Sequence, residues 1–205
     1  MIGSFLTASA ASCLLPPTLD HSPARDAALR RMMQGAGQRE WSMATVRQVA
    51  GDDADLLFPG GIAEVAEAYF DLADRDMQAA AHGFHSRKLS RRVRAAIMFR
   101  LHDASGYRPA VRHALSVLMV PGHARLLARS LARSVNAIWA AAGDDSQGVT
   151  YLTKRASLTG IYVSTLLFWL ARGGNMATVE EFLDRRLADI ARITRLKNRL
   201  MGRPF

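Results

Sequence analysis

Apolar residues recur along most of this chain at the three- and four-residue spacing of an α-helix. From Arg25 onward, Ala28, Leu29, Met32 and Met33 fall on one helical face, and Gly35-Ala36-Gly37 predicts its end. Ser42 is a predicted N-cap for a short helix through Val46 to Ala50. Gly51-Asp52-Asp53 breaks that helix, and Phe58-Pro59-Gly60-Gly61 is a second break, with Pro59 acceptable in a helix's first turn. The helical period resumes through Ile62, Val65, Ala66, Tyr69 and Phe70. It predicts further segments over about 73–84, 87–103, 108–120 and 123–142. A last long helix is expected from about 178 to 200, opened by Thr178 with Glu181 three residues later as a capping box. No stretch alternates as a strand does, and no repeat or low-complexity linker appears, so the expected fold class is all-α.

One segment departs from the amphipathic norm. From Ala156 to Leu170 the chain carries no charge, between Arg155 and Arg172. A bilayer span needs about 20 apolar residues, so this run is too short to cross. Leu158, Tyr162, Thr165 and Trp169 share one face, Ile161, Ser164 and Phe168 a second, and Val163, Leu167 and Leu170 a third. A helix apolar all round is buried from several sides. It is expected as a central core helix, as one wall of a lipid or quinone cavity, or as a dimer seam. Periodicity alone does not separate these.

Composition supports a packed core. The chain has 205 residues, 49% hydrophobic and 22% charged, enough for one domain or one domain with a small module. The net charge of +9 suggests an anionic partner, but it is unevenly placed: residues 1–80 sum to −5 and residues 81–205 to +14. Nearly all the cations are Arg; only Lys88, Lys154 and Lys197 are Lys. The single cysteine, Cys13, excludes an intramolecular disulfide and a multi-cysteine zinc site. Residues 1–24 read as a poorly ordered tail rather than a leader, since they lack a basic start and a continuous apolar run. A cytoplasmic protein is therefore expected.

Catalytic signals are poor. There is no Gly-rich phosphate loop, no nucleophile elbow and no Glu-x-x-His pair for a di-iron centre. His82 and His85 share a helix face, but two histidines alone read as a solvated surface. Asp144-Asp145 reads as turn chemistry. The chain is thus expected not to be an enzyme and to hold no metal. Residues 25–70 have the layout of a helix-turn-helix. Yet the would-be reading region holds Asp52, Asp53, Asp55, Glu64, Glu67 and Asp71, with no basic residue from Ala50 to Ala73. Phosphate contacts dominate nucleic-acid affinity, so no nucleic-acid partner is expected. The last helix sets Phe182, Leu183, Leu187, Ile190 and Ile193 near one side and adds Arg185, Arg186, Arg192, Arg195, Lys197 and Arg199. That suits a packing or dimer helix, or a surface for an anionic membrane, where each cation contributes about 1 kcal/mol.

The stretches LFPGGIAEVAEAYFDLADRDM (57–77), IWAAAGDDSQGVTYLTKRASLTGIYVSTLLFWL (138–170) and FLDRRLADI (182–190) resemble the coenzyme Q (ubiquinone) biosynthesis accessory proteins of the Coq-nine family. The likeness runs over about 25–193. It implies a tetracycline-repressor-like helical bundle with a degenerate helix-turn-helix lobe at 25–72 and a lipid-binding, dimerising domain at 73–205. It implies a homodimer, peripheral to the inner membrane, that binds ubiquinone intermediates and presents them to a separate di-iron demethoxyubiquinone hydroxylase. No cofactor is implied, only a bound isoprenoid quinone or phospholipid. The family's partner surface maps onto Ile138, Tyr151, Leu152, Lys154 and Arg155. This chain has Tyr151-Leu152 where the family has Trp-Tyr, and Gly148 where an Asp is usual. Helix faces and aromatic size nominate Phe99, Leu115, Met119, Trp139, Tyr162, Leu166 and Trp169 as cavity walls. The alternative reading is a tetracycline-repressor-type regulator with an apolar ligand pocket.

Overall fold

The computed structural model describes residues 19, 21–34, 41–144, 148–172 and 174–200; at 148–151 and 193–200 it describes the helical backbone alone. Cys13, the turn at 35–37 and Asp145-Ser146 lie outside the described residues, as do the side chains of Tyr151, Arg195, Lys197 and Arg199. Among the described residues the regular structure is helical throughout, so the fold class is all-α as the periodicity predicts.

Three short helices come first: α1 (Pro23–Gln34), α2 (Met43–Ala50) and α3 (Ala54–Leu57). Longer ones follow: α4 (Gly61–Ala79), α5 (Leu89–Asp103), α6 (Arg108–Leu118), α7 (Ala124–Ala141), α8 (Gly148–Arg172) and α9 (Met176–Leu200). This order agrees with the tetracycline-repressor-like layout that the resemblance implies.

The caps explain where the helices begin. The Ser42 hydroxyl accepts from the Thr45 N–H at 3.3 Å, as its side chain predicts. Ser22 does the same for Arg25 N–H at 3.1 Å, so α1 opens at Pro23, two residues ahead of the expected start. The Glu64 carboxylate reaches back to the Gly60 N–H at 2.6 Å and fixes the entry of α4. Gly61 has φ 70, a left-handed value that favours glycine. Helix α9 departs from expectation: it opens at Met176, and Asn175 Oδ1 accepts from the Ala177 N–H at 3.0 Å, so Thr178 is already inside the helix.

Helix α4 is the axis of the bundle. It runs unbroken through the boundary expected at 72/73, because Asp71-Leu72-Ala73 contains nothing that stops a helix. Its most extensive packing is against α7, and it also touches α1, α5 and α6. Val65, Ala66, Leu72 and Met77 of this helix are buried. Two carboxylates are buried with them. Glu67, with a side chain 2% exposed, accepts from Arg129 Nε at 2.8 Å and Arg129 Nη2 at 2.9 Å, and also pairs with Arg133. Asp74 pairs with Arg100 on α5 and accepts from the Ser134 hydroxyl on α7 at 2.8 Å. Arg100 in turn donates to the Phe70 carbonyl at 3.3 Å and lies over the Tyr162 ring.

Removing one partner of a buried ion pair strands the other, a change that costs about 3–5 kcal/mol. Asp74→Ala, which leaves Arg100 buried and unpaired, should lose about that much stability in urea unfolding. Burial alone would raise the Glu67 carboxyl, but the hydrogen bonds and charges of Arg129 and Arg133 outweigh it and hold the group below its ordinary 4.5. A depressed native value means stability that is complete above pH 4.5 and lost as pH falls through the lower folded value. The wild type should therefore weaken over that acid window. Glu67→Gln should start less stable at neutral pH and show a flatter acid limb in a pH series of melting curves.

Candidate functional site

The uncharged run of α8 carries Ser and Thr without leaving them unsatisfied. Thr159, Ser164 and Thr165 each donate back to a carbonyl of the preceding turn, at 2.8, 3.0 and 2.7 Å. One face of α8 is fully interior: Leu158, Tyr162, Thr165 and Trp169 are all buried. The opposite side is open. Leu152, Ala156, Gly160, Leu167 and Ala171 are exposed, with Leu167 52% accessible. The helix expected to be enclosed on several sides is thus enclosed on some and bare on one.

Helices α8 and α9 pair through a short link. Near the link Phe168 and Phe182 stack at 4.3 Å and 4°, with Arg186 over the Phe182 ring. Farther along, α8 offers mostly small side chains, and the pair leaves a groove of ≈ 710 Å³. Ala156, Ser157, Gly160, Ile161 and Ser164 form one wall; Arg186, Asp189, Ile190 and Arg192 form the other. Asp189 sits between Arg186 at 3.2 Å and Arg192 at 3.8 Å, so the rim is polar and net cationic above an apolar floor. A volume of this size lies within the range of small-molecule sites, roughly 300–1,000 Å³.

The interior is different. Tyr162, Leu166 and Trp169, three of the seven nominated walls, meet around a void lined also by Tyr69, Phe70, Arg100, Leu101 and Val111. Its volume is ≈ 10 Å³, room for about one water. The indole N–H of Trp169 is buried there without an acceptor among the described residues. The other four nominated walls lie elsewhere. Phe99 is half-buried against Phe84, with ring centroids 6.0 Å apart, and Leu115 packs at the edge of the core. Trp139 is buried beneath Lys154. Met119 is 65% exposed, outside the interior altogether, because α6 has already ended when it is reached.

Of the partner-surface residues, Leu152 is exposed. Lys154 is tied to Asp144 at 2.5 Å and to the Trp139 ring, and Arg155 donates to Asn136 Oδ1 at 2.5 Å. Ile138 is fully buried, since it faces the core side of α7, and so cannot itself touch a partner. His82 and His85 are exposed, and no group of metal-binding side chains occurs among the described residues. The groove residues were not nominated from the sequence. The four-residue spacing of Ala156, Gly160 and Ser164 was the available signal.

Comparison with known proteins bears on this region. The sequence pattern of the COQ9 family matches residues 124–194. Over this segment, about a third of the chain, the protein is similar to the COQ9 family. Ubiquinone biosynthesis protein COQ9-B, mitochondrial, of Xenopus laevis is 33% identical over 98 residues, 47% of this chain and 33% of that protein. Ubiquinone biosynthesis protein COQ9, mitochondrial, of Xenopus tropicalis is likewise 33% identical over 98 residues, 47% of this chain and 31% of that protein. The match thus spans about a third of the length of these curated relatives. All residues lining the groove fall inside the COQ9 segment. No helix among the described residues is long and apolar enough to cross a membrane.

An added Cβ at Gly160 would meet nothing within 4 Å. Gly within a helix costs about 0.5–1 kcal/mol relative to Ala. Gly160→Ala should therefore raise stability by about that amount, read as a higher urea midpoint with an unchanged slope.

Proposed function

We propose that this protein serves ubiquinone biosynthesis as a lipid-binding accessory protein, without chemistry of its own. It takes up an isoprenoid quinone intermediate or a phospholipid and presents it to a demethoxyubiquinone hydroxylase. The observation that carries this reading is the ≈ 710 Å³ groove, which lies wholly within the COQ9 segment. The groove, rather than the ≈ 10 Å³ void among Tyr162, Leu166 and Trp169, is the place for the isoprenoid chain. Its Ile161 and Ile190 floor suits hydrocarbon, each buried CH₂ contributing about 0.8 kcal/mol. Arg186 and Arg192 at the rim suit a carbonyl or phosphate oxygen. The partner edge is Leu152 with Lys154 and Arg155, whose cations are held in place by Asp144 and Asn136. Apolar area next to oriented cations is the make-up of a docking edge.

A second copy of the chain is the competing occupant of the same face. The exposed row Leu152, Ala156, Gly160, Leu167 and Ala171 favours it, since small side chains let two helices approach closely. Organic extraction and mass spectrometry separate the two readings. A lipid carrier should yield a polyisoprenoid quinone or phospholipid, and Gly160→Leu should cut the lipid-to-protein ratio severalfold while the protein stays folded. A lipid-free protein whose mass by light scattering drops from dimer to monomer in Gly160→Leu would replace the carrier reading with the dimer.

A further inference from the structure

We propose that the turn between α6 and α7 is a membrane-insertion tip that seats this protein on an anionic lipid surface. Met119 and Val120 are 65% and 50% exposed, side by side, and Pro121 and Gly122 after them are also exposed. Two adjacent apolar side chains at the summit of a turn are not an accident of fraying. The Met119 N–H bonds to the Leu115 carbonyl at 2.8 Å, and the His123 N–H to the Val120 carbonyl at 2.8 Å. His123 Nδ1 lies 2.7 Å from the Val117 carbonyl, and the short turn Pro121–His123 leads directly into α7. The tip is held in shape with its apolar side chains outward.

Its electrostatic setting is one-sided. The sequence contains no Asp or Glu from Ala104 to Gly143, nor from Ser146 to Val179. Arg125 stands exposed in the first turn of α7, and His113 is exposed on α6. Arg112 donates to the Leu170 carbonyl at 2.6 Å, which brings the C-terminal end of α8 beside α6 and with it the exposed Arg172. Among the described residues neither Arg125 nor Arg172 forms an ion pair. Apolar wedge and unneutralised cations together match the acyl edge and the phosphates of an anionic bilayer. A protein partner fits less well, because a stable interface needs about 800 Å² on each side and the tip offers two side chains on a convex turn. This surface is separate from the α8–α9 groove, and its use does not depend on what fills that groove.

The test is flotation of the full chain with phosphatidylcholine vesicles, with and without phosphatidylglycerol. The wild type should float with the anionic vesicles and lose binding as salt is raised. Met119→Asp with Val120→Asp should weaken that binding by about tenfold or more. Leu56→Asp, at a position 81% exposed on α3, should leave it unchanged. Met119→Trp should gain a blue-shifted emission on anionic vesicles, a readout that stands even if the double variant folds poorly. Absence of flotation by the wild type, undiminished flotation by the double variant, equal loss in Leu56→Asp, or unshifted emission of Met119→Trp would each overturn the proposal.

Discussion

The bundle depends on two acids buried on one helix. Glu67 and Asp74 lie two turns apart on α4, and each accepts from Arg side chains of other helices: Glu67 from Arg129 and Arg133 on α7, Asp74 from Arg100 on α5. A buried carboxylate is tolerable only with such partners. The pairs therefore fix how α4, α5 and α7 sit around one another more tightly than apolar packing alone, which would accept small rotations. Arg100 extends the arrangement to α8 through the face of Tyr162.

That constraint has a consequence for where a ligand can go. With Arg100, Tyr162 and Trp169 at the centre, the gap where Tyr162, Leu166 and Trp169 meet narrows to a void of ≈ 10 Å³. Opening it to hydrocarbon would require pulling apart an ion pair in a low-dielectric site, a far higher cost than parting Leu side chains. The α8–α9 pair carries no comparable cross-link along its groove. It is joined near its link by the Phe168–Phe182 stack, and beyond that by little bulk on the α8 side. The molecule is closed where its charges are buried and open where its side chains are small.

This division also explains what could be read from the sequence. Helix periodicity made the all-α class legible, and Ser42 was recognisable because a cap acts through its own side chain on the N–H three residues ahead. Thr178 misled for the same local reason: Asn175 offered an equally good acceptor three residues earlier, and nothing in the pattern ranks the two. The interior walls were nominated by aromatic size. Tyr162, Leu166 and Trp169 do meet, but whether facing helices leave a gap depends on residues distant in the chain, here Arg100 and Val111. The groove escaped notice because its signal is an absence of bulk, and small residues read as indifferent until the opposite helix is in place. The acidic region from 50 to 73 reads in the sequence only as unsuited to a nucleic-acid backbone. In the fold, Glu64 pairs with Arg25, Asp55 with Arg47, Asp71 with Arg75 and Glu67 with α7, leaving Asp52 and Asp53 exposed.

The same pairings reshape the meaning of the charge asymmetry. The acids of the N-terminal part are not simply a surface opposed to the basic remainder; two of them, Glu67 and Asp74, serve as its counter-ions to Arg129, Arg133 and Arg100. Arg94 is likewise matched by Glu180 and Asp184 of α9. Some cations of the basic part are therefore neutralised inside the bundle, while the formal excess of +9 is left over after every acid is counted. Among the described residues, exposed cations without an ion pair stand at the α6–α7 turn and the C-terminal end of α8, and also at Arg87, Lys88 and Arg91 around the start of α5. Interactions between exposed charges fade beyond about 10 Å at moderate salt, so local groups of unpaired cations, rather than the overall +9, set the field that an anionic partner would meet at each part of the surface.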